Sequence, residues 1–230
     1  MCAGAASGIR SLVPARPNMT LAVKRLVRDI ARQVPELGHV RASRILVVAG
    51  EARRASRATI RPAHFKETRG RRSGAGVRKK PLIRIKGRKI LYVVTLRPLW
   101  FMGSTPEERI GTIFHELYHA SGRFDGTLHR GRLHSRLPAG AYDRRVRAMR
   151  ERYLARASGE ILAPFAHVGP ARARMWLERP GGFYRVGEYS GRRVYTERQL
   201  FYGLVRMAGG KRRRGLSPVG RGRRSREDGT

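Results

Sequence analysis

Cysteine, acidic residues and long apolar runs are all scarce in this 230-residue chain. Its single cysteine, Cys2, excludes an intramolecular disulfide and a zinc site built on several cysteines. No apolar run approaches the roughly 18 residues that a membrane-spanning helix needs, and the N-terminus lacks the continuous apolar segment of a signal peptide. We therefore expect a soluble, cytoplasmic protein without a membrane partner, long enough for one domain with its own core.

The shortage of acidic side chains leaves a large positive charge. Asp and Glu number 16 against 51 Lys and Arg, which gives a formal net charge of +35. Residues 209 to 230 hold eight basic and two acidic side chains, so this stretch supplies only +6 of the total. Because neutralised phosphates release counterions, such a charge favours sequence-independent binding to nucleic acid. A genome that prefers arginine codons would produce the same composition, and both explanations stand at this point.

The first half of the chain predicts one helix followed by strands. Residues 20 to 34 place their apolar side chains on a single helical stripe. The β-branched run at residues 44 to 48 predicts a strand, and the Gly- and Arg-rich residues 67 to 80 predict a loop. Alternating residues on both sides of Lys86-Gly87-Arg88 predict a hairpin, with its second strand at residues 90 to 94.

A second helix begins with several start signals in succession. Thr105 offers an N-cap hydroxyl, Pro106 occupies the first helical position, and Glu108 lies three residues after the cap. Apolar residues then recur at helical spacing up to Leu117, and Gly122 is a plausible end. The sequence HELYH, residues 115 to 119, therefore falls in the last turns of a capped, half-buried helix.

The spacing within HELYH suits zinc chemistry. His115 and His119, four positions apart, project from the same face of a helix, so both can donate a ring nitrogen to one Zn²⁺. Glu116 is directed to the side of such a metal, where its carboxylate can take a proton from zinc-bound water. The alternative is a core helix that carries these polar residues on its surface by chance, and we favour metal binding.

A catalytic zinc site needs a third protein ligand, for which there are two main candidates. Asp125 completes H-E-x-x-H-x-x-G-x-x-D, which looks like the aspartate variant of the metzincins, although Met149 lies in a predicted helix and not in a Met-turn. Asp125 in Phe-Asp-Gly also suits an ordinary turn. His134, shortly before a helix that Asp143 is expected to cap, is slightly favoured, and His129 is a weaker candidate.

The stretch from about residue 44 to residue 149 resembles the phage-type metallopeptidases, small zincins found in phages and bacteria. The resemblance rests on HELYH at 115 to 119, Phe-Asp-Gly at 124 to 126, His134 and the pair Tyr142-Asp143. It implies a zincin fold and peptidase activity. The position of His134 before a helix is also similar to that of a third histidine in the SprT-like proteases.

The C-terminal part predicts short strands at residues 175 to 178, 183 to 186 and 193 to 195, followed by a helix at 197 to 207. One interpretation is a substrate-binding subdomain in which Tyr184, Tyr189 or Tyr195 polarises a carbonyl. The other, which we favour, is an extension in which these aromatic residues serve packing.

Together these patterns predict an α+β, zincin-like single domain with a small, partly antiparallel sheet packed on the active-site helix. The domain would span residues 19 to 208, with its core at about 44 to 157, between a disordered leader (1 to 18) and a basic disordered tail (209 to 230). Met19 is an alternative translation start. The predicted function is zinc-dependent hydrolysis of peptide or protein substrates. The alternatives are a basic nucleic-acid-binding protein with a structural or vestigial zinc site, and a protease acting on DNA-bound proteins.

Overall fold

The computed structural model describes residues 16–50, 56–63, 72–73, 76–132, 140–181, 184–185 and 193–210. Within these residues the chain is an α+β protein with four α-helices and eleven strands. The helices are α1 (Met19–Gln33), α2 (Pro106–Tyr118), α3 (Ala141–Leu154) and α4 (Gly159–Ala166). The strands are β1 (Ile45–Ala49), β2 (Ala58–Pro62), β3 (Arg72–Ser73), β4 (Gly76–Lys79), β5 (Leu82–Ile85), β6 (Arg88–Lys89), β7 (Tyr92–Leu96), β8 (Gly169–Trp176), β9 (Tyr184–Arg185), β10 (Val194–Tyr195) and β11 (Leu200–Met207). No helix in the described ranges is long and apolar enough to cross a bilayer.

Five strands form a mixed sheet in the order β11-β8-β1-β7-β2. The central strand β1 pairs in parallel with β7 and β8, whereas β2 and β11 run antiparallel to their neighbours at the two edges. Two further sheets, β10-β5-β6 and β3-β4-β9, have three strands each. The partly antiparallel sheet expected from the sequence is therefore present.

The central strand β1 is buried on both faces, which explains its uninterrupted apolar sequence ILVVA. Ile45, Val47 and Ala49 pack into the main core together with side chains from all four helices. Leu46 and Val48 point to the other face, into a smaller apolar cluster that includes residues of β5 and β10. The helices thus cover one face of the five-stranded sheet, and the β10-β5-β6 sheet covers part of the other.

The first helix is confirmed, and the residues directly before it also contact the fold. The side chain of Asn18 caps α1 by accepting the Leu21 N–H at 3.1 Å. The Pro17 carbonyl accepts the N–H of Arg172 on β8 at 2.9 Å, so residues 17 and 18 belong to the folded part. Residues 1 to 15 of the expected leader lie outside the described residues, as does the expected tail beyond residue 210.

The hairpin at residues 86 and 87 is confirmed, but its second strand is shorter than expected. Lys86 and Gly87 both have positive φ, 50° and 71°, as a tight primed turn requires. β6 ends at Lys89, and Ile90 then enters the smaller core. The Leu91 N–H bonds to the Arg44 carbonyl, and the remaining run becomes β7 of the main sheet. The strand predicted for residues 90 to 94 is confirmed only for residues 92 to 94, and these pair in the main sheet and not in the hairpin.

The helix predicted for residues 197 to 207 is wrong. Thr196 and Gln199 do form a capping box, but it closes only one 3₁₀ turn, Glu197–Gln199. The chain then extends as β11 and pairs antiparallel with β8 along its whole length. Gly203 lies against the side chain of Met175 in this pairing, and a Cβ there would lie 2.8 Å from the Met175 sulfur. Long-range strand pairing therefore outweighs the local helix-start signal.

The remaining elements differ from the expectations in their bounds. Part of the predicted loop at 67 to 80 forms β3 and β4, and β4 pairs with β9. The three predicted C-terminal strands correspond to β8, which begins earlier at Gly169, and to the short β9 and β10. Helix α4 is not foreseen in the sequence analysis.

A buried arginine anchors the helix that carries HELYH. Arg109 is 1% exposed, and its guanidinium donates hydrogen bonds to the carbonyl oxygens of Phe101, Met102, Phe165 and Ala208. These carbonyls belong to the π-helical turn before α2, to α4 and to the residue after β11. One cation thereby fixes α2 against three separate parts of the chain.

Candidate metal centre

The start of α2 matches the sequence prediction, and its end does not. Thr105 and Glu108 form the predicted capping box, with bonds of 3.0 and 3.2 Å, and Pro106 is the first helical residue. The helix ends at Tyr118 instead of Gly122, and His119 is its C-cap. Because His119 keeps helical angles, φ −72° and ψ −20°, the one-turn spacing from His115 is preserved.

The two histidines of the motif lie side by side. Their ring centroids are 5.1 Å apart and their planes are nearly perpendicular, at 80°. The Nδ1 of His119 lies 3.0 Å from the carbonyl oxygen of Arg132. Because a carbonyl only accepts, Nδ1 must carry the proton, and the lone pair of the neutral ring is on Nε2. A backbone carbonyl on the opposite nitrogen is the usual way in which proteins orient a metal-binding histidine.

Tyr142 of α3 contacts both rings, a role that the sequence pattern does not predict. Its ring stacks on His119, with centroids 4.9 Å apart and an angle of 24°, and meets His115 edge-on at 4.7 Å. Its hydroxyl donates to the His115 carbonyl at 2.6 Å. Burial, followed by the nearby carboxylate of Glu116, raises the pKa of Tyr142, so the hydroxyl remains a donor. The only sequence signal for Tyr142 is its place in the Tyr-Asp pair.

Glu116 is buried and bonded to the edge strand of the main sheet. Its side chain accepts the backbone N–H of Ile60, in β2, at 2.7 Å, and the residue is 7% exposed. Burial raises the pKa of Glu116 to about 7, against the lowering effects of the Ile60 N–H and the positive charge of Arg97. A divalent cation on the adjacent histidines would lower this pKa again.

The outer edge of β2 is covered in part by its own chain. The carbonyl of residue 57 and the N–H of residue 63 bond to residues 97 and 91, which flank β7. Because bonding alternates along an edge strand, the backbone groups of residues 58, 60 and 62 point away from the sheet. The outward carbonyl of Ala58 accepts from Ser56, and that of Pro62 accepts from Lys80. Proline has no N–H, and the Ile60 N–H is bound by Glu116. Side chains thus occupy three outward positions that a peptide could otherwise use.

His115 and Glu116 line a cleft of about 610 Å³, a volume within the range of ligand-binding sites. The cleft lies between α2, α3 and the start of β2. Its lining carries mixed charge, with Asp143 and Arg147 among the α3 residues. Asp143 is the third residue of α3 and not its cap, which is Gly140.

The third-ligand candidates have different positions. The Oδ1 of Asp125 accepts the N–H of Thr127 at 3.1 Å and its hydroxyl at 2.6 Å, which is turn chemistry. His129 returns to the motif through its backbone N–H, which bonds to the His119 carbonyl at 2.9 Å. His134 lies outside the described residues. Among the residues that are described, no three His, Cys, Asp or Glu side chains form a group that could hold a metal ion.

The tyrosines proposed for carbonyl polarisation receive no support as site residues. Tyr195 is buried in the smaller core, and its hydroxyl donates to Glu178 at 3.2 Å. Tyr189 and the side chain of Tyr184 lie outside the described part of the chain. Met149 is a buried residue of α3, consistent with the absence of a Met-turn at that position.

Comparison of this chain with known protein families, with curated proteins and with solved structures found no match.

Proposed function

We propose that this chain is a zinc-dependent metallopeptidase with a zincin-like fold. His115 and His119 would bind the metal, and Glu116 would be the general base. The observation that carries the proposal is the pair of imidazoles on α2, 5.1 Å apart, beside a buried carboxylate in the wall of an open cleft. Two imidazole nitrogens are preferred ligands of zinc.

The chemistry around the two histidines fits a zinc ion. The bond between His119 Nδ1 and the Arg132 carbonyl leaves the Nε2 lone pair as the one that a metal would take. Tyr142 limits the rotation of both rings by packing against them. Because these contacts already orient the rings, little side-chain conformational entropy would be lost when the metal binds.

We keep His134 as the favoured third ligand and Asp125 as the alternative. His134 follows Arg132, whose carbonyl orients His119, by two positions in the sequence. The Asp125 carboxylate already accepts two hydrogen bonds from Thr127. A metal would have to share this carboxylate with the turn.

When bound, Zn²⁺ would act as a Lewis acid on a peptide carbonyl and lower the pKa of water towards neutrality. Glu116 would take a proton from the attacking water and return it to the leaving amine. The Ile60 N–H fixes one carboxylate oxygen of Glu116 and thereby sets the direction of the other. Arg97 adds a positive charge that favours the ionised form of this carboxylate.

A peptide or protein substrate would lie in the cleft between α2 and α3. Backbone pairing with the edge strand β2, which a zincin-like site favours, is restricted here, because Ser56, Glu116 and Lys80 occupy outward groups of that strand. A bound peptide would therefore pair beside Ile60 or displace the carboxylate of Glu116.

A second candidate function is a basic binding module with a structural or vestigial zinc site. The bond from Ile60 to Glu116 favours it, because a buried carboxylate that ties a helix to a strand has a structural role without any chemistry. The further alternative, a protease acting on DNA-bound proteins, combines both activities.

The test is metal analysis followed by a cleavage assay on the full chain. Purified protein would be stripped with a chelator, reloaded with Zn²⁺ and assayed on unstructured and on basic protein substrates, with and without DNA. We expect cleavage that depends on zinc and disappears in His115→Ala/His119→Ala. Zinc binding without cleavage of any substrate would favour the binding module.

A further inference from the structure

A second cleft, which we call the basic cleft, lies on the face of the main sheet opposite the histidines. It has a volume of about 550 Å³ and is bounded by β2, β7, the start of β5 and the chain after β8. Thr59, Val93 and Thr95 line it, whereas the alternate residues of the same strands pack into the helix-side core. Side chains alternate across a strand, so the two clefts open on different faces.

The charges of the basic cleft have one sign. Its lining includes Arg61, Lys80, Arg97 and Arg179, and no Asp or Glu among the described residues. Lys80 and Arg61 line the same cleft, and the pKa of Lys80 is lowered by burial and, to a smaller extent, by the positive charge of Arg61. A concentration of like charges in a concave site favours an anion that bridges them.

The floor of the basic cleft is apolar and aromatic. Ile83, Val93 and Trp176 belong to the smaller core or pack against it, and all three line the cleft. Trp176 is half-buried, and the ring of Tyr195 lies nearly perpendicular to it at a centroid distance of 6.2 Å. The exposed cations Arg61 and Arg179 form what we call the basic rim of this cleft. The hydroxyl groups of Thr59 and Thr95 add hydrogen-bonding groups to the lining.

We propose that the basic cleft binds nucleotides of single-stranded nucleic acid, with the phosphates at Arg61 and Arg179 and a base against Trp176. A basic rim combined with an aromatic floor is the arrangement that recognises single strands without sequence preference. The net charge of +35 favours a long polyanion over a free nucleotide, because each phosphate contact releases counterions. The bases of a duplex are stacked inside it and cannot reach such a floor. The inference is independent of the peptidase proposal.

Binding would be measured by titrating the full chain with a short oligothymidylate. Trp100 and Trp176 are the two tryptophans, so Trp100→Phe isolates the fluorescence of Trp176. We expect quenching of Trp176 as the oligonucleotide binds. Absence of quenching at saturating oligonucleotide would overturn the proposal.

Charge variants test the location. Arg61→Ala/Arg179→Ala removes two exposed cations of the rim, and Arg25→Ala/Arg145→Ala removes two exposed cations from α1 and α3. We expect about a tenfold or greater loss of affinity in the first pair relative to the second. In the first pair, the slope of log affinity against log salt concentration should also become shallower by about 1.4, as expected for the loss of two phosphate contacts on a single strand. Arg97 is left unchanged because its charge also acts on Glu116.

Equal losses of affinity in the two variant pairs would overturn the proposal in favour of a diffuse positive field.

Competition identifies the ligand. Competition by polyglutamate as strong as that by the oligonucleotide would assign the cleft to acidic polypeptides, and equal competition by a mononucleotide would assign it to free nucleotides. Quenching by duplex DNA as strong as that by the single strand would contradict base contact with Trp176. Unchanged circular dichroism and thermal unfolding temperature in every variant would exclude unfolding as the cause.

Discussion

The carboxylate of Glu116 and the backbone N–H of Ile60 are joined by a hydrogen bond of 2.7 Å that closes a loop of 56 positions. This bond ties α2 to the edge strand β2 beside the candidate metal ligands. It also means that a peptide pairing with β2 at Ile60 would compete directly with the proposed general base. This one contact therefore stabilises the site, restricts peptide pairing with β2 and involves the proposed general base.

The first prediction concerns the metal. The full chain should bind about one Zn²⁺, and His115→Ala or His119→Ala should each abolish stoichiometric binding, because two ligands on one helix turn act together. Metal content after gel filtration measures this. Gly122→Ala is a suitable control, since the residue is exposed and a Cβ there would meet no atom within 4 Å. Stoichiometric zinc in the double alanine variant would refute the assignment.

A second prediction distinguishes the two third-ligand candidates. His134→Ala should weaken zinc binding more than Asp125→Ala, because loss of a direct ligand costs more than loss of a supporting group. Asp125→Ala should instead lower the free energy of unfolding by about 1 kcal/mol, through the two lost bonds from Thr127. Asp125→Asn, which can still accept from Thr127, is the matched control. Loss of zinc in Asp125→Ala, with zinc retained in His134→Ala, would favour the metzincin-like arrangement.

The sequence predicted the parts of the site that depend on local spacing. The capping box of Thr105 and Glu108 and the helical pair His115 and His119 are both encoded within one short segment. Tyr142 and the Ile60 N–H reach the site from other elements, so no pattern within HELYH could reveal them.

The fold shows the same division between local and long-range information. The stripe of α1 and the uninterrupted β1 are local patterns, and both were predicted. The helix predicted for residues 197 to 207 was wrong because pairing with β8 decides the conformation of β11. The apolar run after Lys89 predicts one strand, because alternation does not show that Ile90 and Tyr92 pack into different cores.

A third prediction is a pH dependence of stability at the junction of α1 and α3. Burial raises the pKa of Asp29, but hydrogen bonds from Tyr153, Gln33 and Arg32 outweigh it and hold the pKa below its ordinary value. A carboxyl whose pKa is lower in the folded state stabilises the fold above its unfolded pKa, and this stabilisation is lost as the pH falls through the folded pKa.

Asp29→Asn should therefore reduce the free energy of unfolding by about 1 to 3 kcal/mol at neutral pH. The difference from wild type should shrink as the pH falls below about 4, the ordinary carboxyl pKa. Urea denaturation in the presence of a chelator measures this without interference from zinc. Tyr153→Phe, which removes one donor to Asp29, should show a smaller effect in the same direction. If the difference in free energy of unfolding between wild type and Asp29→Asn stays constant down to pH 2, the explanation is wrong.

The fourth prediction concerns the C-terminal residues. Removal of residues 211 to 230 deletes eight basic and two acidic side chains but keeps Gly210, which packs closely against Thr105 at the start of α2. Binding to nucleic acid should weaken only in part, because most of the charge lies elsewhere, and should still fall steeply with salt. Complete loss of binding would assign the interaction to these residues alone. Affinity that is unchanged between low and physiological salt would contradict the electrostatic explanation.

The last prediction separates an enzyme from a zinc-containing binding module. Glu116→Gln keeps an oxygen that can accept the Ile60 N–H but removes the base, so zinc content and thermal stability should stay close to wild type. Peptidase activity should fall by about 100- to 10,000-fold, the usual contribution of general-base catalysis. Glu116→Ala is the contrasting variant, since it leaves the buried Ile60 N–H without this acceptor and should cost about 1 to 3 kcal/mol of stability.

The assay would use casein and basic proteins as substrates, with and without DNA. If Glu116→Gln cleaves as fast as wild type, the carboxylate is not the base and the proposed mechanism fails. If wild type binds zinc but cleaves nothing, and Glu116→Ala is unstable while Glu116→Gln is not, the residue acts only as a tether between α2 and β2. The two variants together therefore distinguish the chemical role of Glu116 from its structural role, because only the first depends on the charge and basicity of the carboxylate.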